Sequence, residues 1–192
     1  MGPSPAEYNP EWRPVAVLCE RRPAAGLPRR SRGDRRYNGN EMALKVLGVI
    51  PARLESTRLP RKPLRTICGQ PMIVWVYERA RQAKSLDRLL VATDSDEILA
   101  GCAEKNVPAL LTSSEHRSGT ERVIEVMGRE PADIYVNIQG DEPMVTAEHV
   151  ELLLRPFRES PETQVSTLKV ALDAEAARDP NNVKVVTDSA GR

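Results

Sequence analysis

A chain of 192 residues with 40% hydrophobic side chains has room for one well-buried domain and an appendage, and a formal net charge of +1 argues against a surface built for nucleic acid. Its longest apolar runs, such as Leu44–Ile50, are too short to span a bilayer. Cys19, Cys68 and Cys102 are odd in number and lack CxxC spacing, which points to reduced thiols and a cytoplasmic protein.

The first 41 residues differ from the rest. They hold eight arginines, no lysine, five acids and six prolines, without a sustained helix or strand period. The head, residues 1–41, is therefore expected to be disordered. Early acids and scarce serine argue against a transit peptide, and "VAVLC" is too short for the apolar core of a secretion signal. One reading makes the head a basic arm for an anionic partner. The favoured one starts the working protein at Met42, directly before the first strand.

From Met42 onward, strand and helix signals alternate. Leu44–Ile50 is short, apolar and rich in β-branched residues: a buried strand. Met72–Lys84 places Ile73, Val76, Tyr77 and Ala80 at three- and four-residue spacing, which predicts an amphipathic helix. "DRLLVAT" reads as a strand, and "DSDEILAGCAEKN" as a helix capped by Asp94 or Ser95. "VPALLT" is a short strand, "GTERVIEVMGR" a helix, "DIYVNI" a strand, and "TAEHVELLLRPFRE" a helix opened by Thr146. His149 within it is read as structural or exposed. "QVSTLKVAL" and "VKVVTD" are predicted as strands. This alternation implies an α/β fold, Rossmann-like and three-layered, with a mostly parallel sheet covered on both faces. The expected boundaries are a nucleotide-binding domain over 42–162 and the start of a second subdomain over 163–192.

In such sheets ligands lie beyond the carboxyl ends of the strands. Three polar motifs fall there. "VIPARLESTRLPRKPL" (Val49–Leu64) sets Arg53, Arg58 and Lys62 on a loop stiffened by Pro51, Pro60 and Pro63. Crowded cations call for an anion, and a triphosphate suits them: arginine forks onto two oxygens and lysine acts as a point charge. Arg61 and Arg65 are left to solvent. "HRSGTER" (His116–Arg122) places Ser118, Gly119 and Thr120 at a helix start, where backbone N–H groups can approach a nucleotide. His116 is a candidate contact to base, sugar or phosphate. "NIQGDEP" (Asn137–Pro143) ends a strand in Gln139 and adjacent acids. A carboxylate facing a triphosphate loop suits Mg²⁺, which takes one or two protein carboxylates and completes its shell with water and phosphate oxygen. Asp141 is the expected ligand. Glu142, next in sequence, should face the other way.

Cationic loop, glycine-bearing helix start and metal carboxylate together describe a nucleotidyl transferase. With "GQPMIVWV" and "VATDSDEI" between them, in this order, the motifs resemble the 3-deoxy-manno-octulosonate (KDO) cytidylyltransferase family from Met42 to the C-terminus. CMP-sialate synthetases share the fold but match the motifs less well. The resemblance implies a nucleotidyltransferase fold of the GT-A type and the coupling of CTP and KDO to CMP-KDO and pyrophosphate, for lipopolysaccharide synthesis. It implies Mg²⁺ as cofactor and, for the full-length family, a homodimer. By motif position, Arg53, Lys62 and Asp141 would be catalytic. Pro51, Ala52, Arg53, Arg58, Lys62, His116, Ser118, Gly119 and Gln139 would border the nucleotide and sugar. Family members run beyond the segment ending at Arg192, and that further part supplies a second metal aspartate, much of the KDO pocket and dimer-forming strands. The alternatives are a CTP-binding fragment without turnover and an enzyme for a related acidic sugar.

Overall fold

A computed structural model describes residues 17–21, 44–54 and 59–186. The central strand is β2 (Val46–Ala52), whose side chains alternate between two buried faces. Val46, Ile50 and Ala52 join one apolar cluster, and Leu47 and Val49 join the other. A strand buried on both sides needs helices on both sides, and the helices divide accordingly. Helices α1 (Met72–Ala80), α2 (Asp96–Glu104) and α4 (Ala147–Glu159) cover the first face. Helix α3 (Gly119–Arg129) covers the second through Val123 and Val126. The result is three layers.

Strands β5 (Arg88–Thr93), β6 (Ala109–Leu111) and β7 (Ile134–Ile138) complete a parallel sheet in the order β6-β5-β2-β7. Between them in sequence, β3 (Thr66–Ile67) and β4 (Gln70–Pro71) form a two-residue hairpin with Cys68 and Gly69 at positive φ. The sheet grows from β2 in opposite directions, so the topological switch lies between β2 and β7. The registers show it opening. Pairing of β2 with β5 continues to Ala52↔Thr93, while pairing with β7 ends at Val49↔Asn137. Past that point the two strands part, leaving a crevice at their carboxyl ends, where α/β sheets bind ligands.

Most predicted elements are present, with instructive differences. Helix α1 stops at Ala80 rather than Lys84, because tight turns follow: the Ala83 N–H donates to the Ala80 carbonyl at 3.1 Å. The cap of α2 is Ser95, whose Oγ accepts from the Ile98 N–H at 3.3 Å. His149 is buried, and its Nδ1 accepts the Thr146 N–H at 3.1 Å in a capping box, so the structural reading holds over the exposed one.

The largest departures lie at the two flanks. Within the head expected to be disordered, Val17–Arg21 forms strand β1, antiparallel to both β7 and β8 (Val165–Thr167). The sheet therefore has six strands, β6-β5-β2-β7-β1-β8. Of the predicted strand "QVSTLKVAL", only Val165–Thr167 is extended into a ladder, and residues 183–186 of "VKVVTD" form no strand. Val183 and Val186 are 78% and 89% exposed, so nothing is gained from their β propensity.

Candidate functional site

The three motifs converge on one residue of β2. Gly119 starts α3 so close to Pro51 that a Cβ there would lie 3.1 Å from the proline Cγ. Gly140, two residues past β7, lies against the same residue from the other side, where a Cβ would stand 2.7 Å from the Pro51 carbonyl oxygen. No real Cβ tolerates the second distance, so the turn carrying Asp141 approaches β2 only because position 140 has no side chain. Pro51 has no N–H to offer a neighbouring strand, and the ladder to β7 has already ended at Val49.

The cationic loop and the acidic turn also meet. Lys62 opens a short 3-10 turn (Lys62–Leu64), and its Nζ lies 2.5 Å from Asp141 Oδ2. The side chains are 34% and 49% exposed, so water and ligands reach both. Arg61, the cap of that turn, has φ 58 and pairs with Glu97. Arg65 Nε donates to the Pro60 carbonyl at 3.3 Å. Both are exposed, as the sequence reading expects, and each also makes one contact at the surface. Arg53 is exposed directly after β2; Ala52, just before it, is buried. Arg58 lies outside the described residues.

At the helix start, Ser118 is the N-cap of α3 and its Oγ accepts the Glu121 N–H at 3.2 Å. That leaves the remaining first-turn N–H groups beside Pro51 for a ligand. His116, two residues before that cap, has its Nε2 2.5 Å from Glu125 Oε2. Glu125 also accepts the Ser113 N–H at 2.9 Å and pairs with Arg129 at 2.8 Å. The Ser113 N–H first, and His116 next, hold the Glu125 carboxyl below its ordinary range. His116 thus braces the loop ahead of α3.

Gln139 is half-buried where β7 ends. Asp141 and Glu142 sit in a turn closed by the Glu142 N–H donating to the Gln139 carbonyl at 3.2 Å. They are not part of a strand, so alternation of facing does not separate them; Asp141 is the one in contact with Lys62 Nζ. Helix α4 is capped by Thr146, as its sequence predicts. An exposed carboxylate beside a cationic loop is of the oxygen-donor type that Mg²⁺ accepts, with water and phosphate oxygen able to complete the shell. Among the described residues no three His, Cys, Asp or Glu groups cluster as a metal site. Cys102 is buried in the core, and desolvation pushes its thiol up to about 11.

Sequence reading passed over one member of this scaffold. Arg122, in the second motif, is 3% exposed and spans three segments. Its Nη2 donates to Asp94 Oδ2 at 2.6 Å, and its Nη1 donates to Thr112 Oγ1 and, at 3.2 Å, to the Ser113 carbonyl. Asp94 follows β5, and Thr112 and Ser113 follow β6. One buried guanidinium thereby fixes α3 to the carboxyl ends of two strands. The signal was an arginine at the fourth position of a helix with apolar Val123 and Val126 beside it.

Comparison with known proteins now decides the family. The Cytidylyltransferase family profile matches residues 47–192. The chain belongs to the cytidylyltransferase family. The 3-deoxy-manno-octulosonate cytidylyltransferase of Acidobacterium capsulatum is 52% identical over 150 residues, covering 78% of this chain and 61% of that protein. Its Escherichia coli counterpart is 46% identical over 145 residues, covering 76% and 59%. A solved CMP:2-keto-3-deoxy-manno-octonic acid synthetase complexed with CTP superposes with a TM-score of 0.61 at 47% identity, over 62% of this chain and 49% of that one. A cytidylyltransferase from Leptospira borgpetersenii, 23% identical, shares the fold with a TM-score of 0.55 over 62% of this chain and 51% of that one. This cytidylyltransferase chain thus spans about three-fifths of the length of the curated relatives it matches. Among its described residues, no helix is long and apolar enough to cross a membrane.

Proposed function

We propose that this cytidylyltransferase binds CTP in the crevice between β2 and β7 and transfers CMP to KDO, giving CMP-KDO and pyrophosphate. The convergence of Gly119 and Gly140 on Pro51 carries the reading, because it gathers a cationic loop, a helix N-terminus and a carboxylate around one strand end. Arg53 and Lys62, joined by Arg58, take the triphosphate. The first turn of α3 and the Pro51–Ala52 backbone border the nucleoside, and Gln139 faces the sugar. The anomeric hydroxyl of KDO attacks the α-phosphorus and loses its proton, while the bond to the pyrophosphate oxygen breaks in line. Positioning and charge stabilisation supply most of the rate.

Asp141 is the residue to hold Mg²⁺, which would neutralise phosphate charge. Lys62 would share this carboxylate with a bound cation, and a triphosphate would offer the lysine a second anion. A cytoplasmic location and a homodimer belong to the same proposal.

Calorimetric titration tests the nucleotide site. A charge-assisted hydrogen bond contributes roughly 1.5–3 kcal/mol, so Arg53→Ala or Lys62→Ala should weaken CTP by about ten- to a hundredfold. Unchanged affinity in both variants would remove the triphosphate loop. Asp141→Asn should reduce the Mg²⁺-dependent part of binding more than Glu142→Gln; the reverse order would move the ligand to Glu142. Pyrophosphate release with CTP, KDO and Mg²⁺ separates transfer from binding alone. The second outcome is a real alternative for a chain spanning about three-fifths of its relatives' length.

A further inference from the structure

Helix α2 supplies no side chain to the crevice, yet the turn that carries Lys62 rests on it. The helix starts where β5 ends, with Ser95 as its cap and Glu97 in its first turn, so its N-terminal end stands at the same edge of the sheet as the site. The 3-10 turn meets it at two places. Arg61, which caps that turn, forms an ion pair with Glu97. One helical turn further along the same face, Gly101 leaves room for Leu64: a Cβ there would lie 3.3 Å from the leucine Cδ2. Lys62 lies between Arg61 and Leu64 in the chain, and its Nζ reaches Asp141 Oδ2 at 2.5 Å. Arg61 stands at φ 58, a left-handed conformation that glycine adopts freely and arginine adopts at a cost. What arginine brings, and glycine would not, is the contact with Glu97.

We infer that Glu97 and Gly101 are positioning residues: acting from α2 through Arg61 and Leu64, they set the turn so that Lys62 points at Asp141. The Arg61–Glu97 pair is exposed, and such pairs add little to global stability. Its effect is local, because it fixes the residue next to Lys62. A lysine is a point charge on a flexible four-carbon stem, so its ammonium is placed only as well as its backbone is held. A displacement of about 1 Å at a reacting group can cost on the order of a hundredfold in rate. Neither Glu97 nor Gly101 touches substrate in this account. The consequence for CTP rests on the proposed role of Lys62 at the triphosphate, whereas the placement of Lys62 is measurable without nucleotide.

Acetylation of the full 192-residue chain by an N-hydroxysuccinimide ester, followed lysine by lysine in a mass spectrometer, tests the placement. An ammonium seated on a carboxylate is shielded from the reagent. In Glu97→Gln, Lys62 should therefore react about threefold faster or more, while Lys105, at the far end of α2, keeps the parent rate. Arg61→Gly keeps the left-handed cap and removes the pair, so it should do the same, and the two changes together should add nothing further. Gly101→Ala should also speed Lys62, by displacing Leu64, at a melting temperature equal to or above the parent's, because alanine suits a helix interior better than glycine. A merely structural role would instead tie faster acetylation to lost stability. Calorimetric titration with CTP and Mg²⁺ reads the consequence: Glu97→Gln and Gly101→Ala should each bind about three- to tenfold more weakly. Unchanged Lys62 reactivity in both variants would overturn the inference. So would tighter CTP binding by Glu97→Gln, since Glu97 would then be withholding Arg61 from the triphosphate. Faster acetylation with CTP affinity unchanged would uphold the positioning of Lys62 and count against its role at the triphosphate.

Discussion

β2 and β8 belong to one sheet under opposite conditions. β2 is flanked by β5 and β7, covered by helices on both faces, and buried along nearly its whole length. β8 is three residues long, lies at the edge, and exposes Val165 by 56%. The difference shows where the free energy of this fold resides. Apolar area removed from water contributes roughly 25 cal/mol per Å², and that area is concentrated in β2, β5, β7 and the helices packed on them. The candidate site is built on the ends of those strands, so its geometry is backed by the stiffest part of the molecule. β8 is held by backbone pairing with β1 and by Ser166 Oγ donating to the Leu153 carbonyl at 2.6 Å.

Substitutions can break this contrast. The largest loss should come from Arg122→Ala, which strands Asp94 beside a buried cavity. Breaking such a pair costs about 3–5 kcal/mol, read as a lower urea midpoint with an unchanged slope. A loss below about 1 kcal/mol would show that the guanidinium does not bind the strand ends together. Ile50→Ala, at a side chain 0% exposed in β2, should cost about 2–5 kcal/mol in the same measurement. Gly140→Ala should cost about 1–3 kcal/mol, since its Cβ meets backbone rather than a flexible side chain. It should also weaken CTP beyond what the lost stability explains, because the turn bearing Asp141 must shift.

The acid limb of stability sharpens the contrast by a smaller amount. Glu125 titrates below its ordinary value of 4.5 in the folded chain, so its contribution is complete above that pH and is lost as pH falls through the depressed folded value. Glu125→Gln should therefore lower stability at neutral pH and flatten the decline in acid, as followed by thermal melts from pH 7 to about 3. A parallel decline in parent and variant would detach His116 and Ser113 from this carboxylate. Least affected should be Val186→Ala, at a side chain 89% exposed, with a change within about 0.5 kcal/mol.

What the sequence made legible follows the same division. Apolar runs, helix caps and the alternation of strand and helix signals placed β2, β5, β7, α3 and α4, because their side chains do in the fold what their pattern implies. β1 was illegible because "VAVLC" is a short apolar run among arginines and prolines, and its extension is imposed by two neighbours far along the chain. "VKVVTD" misled for the converse reason: β-branched residues without a neighbour form no strand. Within the site, the motifs identified the cationic loop and the acidic turn. They did not reveal that Arg61 anchors on Glu97 or that His116 is held by Glu125, since those contacts join segments with no common period. Nor could they show the need for glycine at 140, which arises from the closeness of Pro51 in space.

The position of β1 also sets a timetable for synthesis. Val17 leaves the ribosome early, yet its partners are Ile138 on β7 and, through Leu18, Thr167 on β8. At synthesis rates of about 5–20 residues per second, the segment waits roughly 10–30 s before both neighbours have been made. During that wait, β2, β5 and β6 can pair and be covered by α1 and α2 without it. The last strand to be seated is thus the first to be translated, and the nascent chain must keep a short apolar segment from sticking elsewhere until the sheet is ready. Eight arginines against five acids leave the first 41 residues net positive, and like net charge opposes association between two copies of this head.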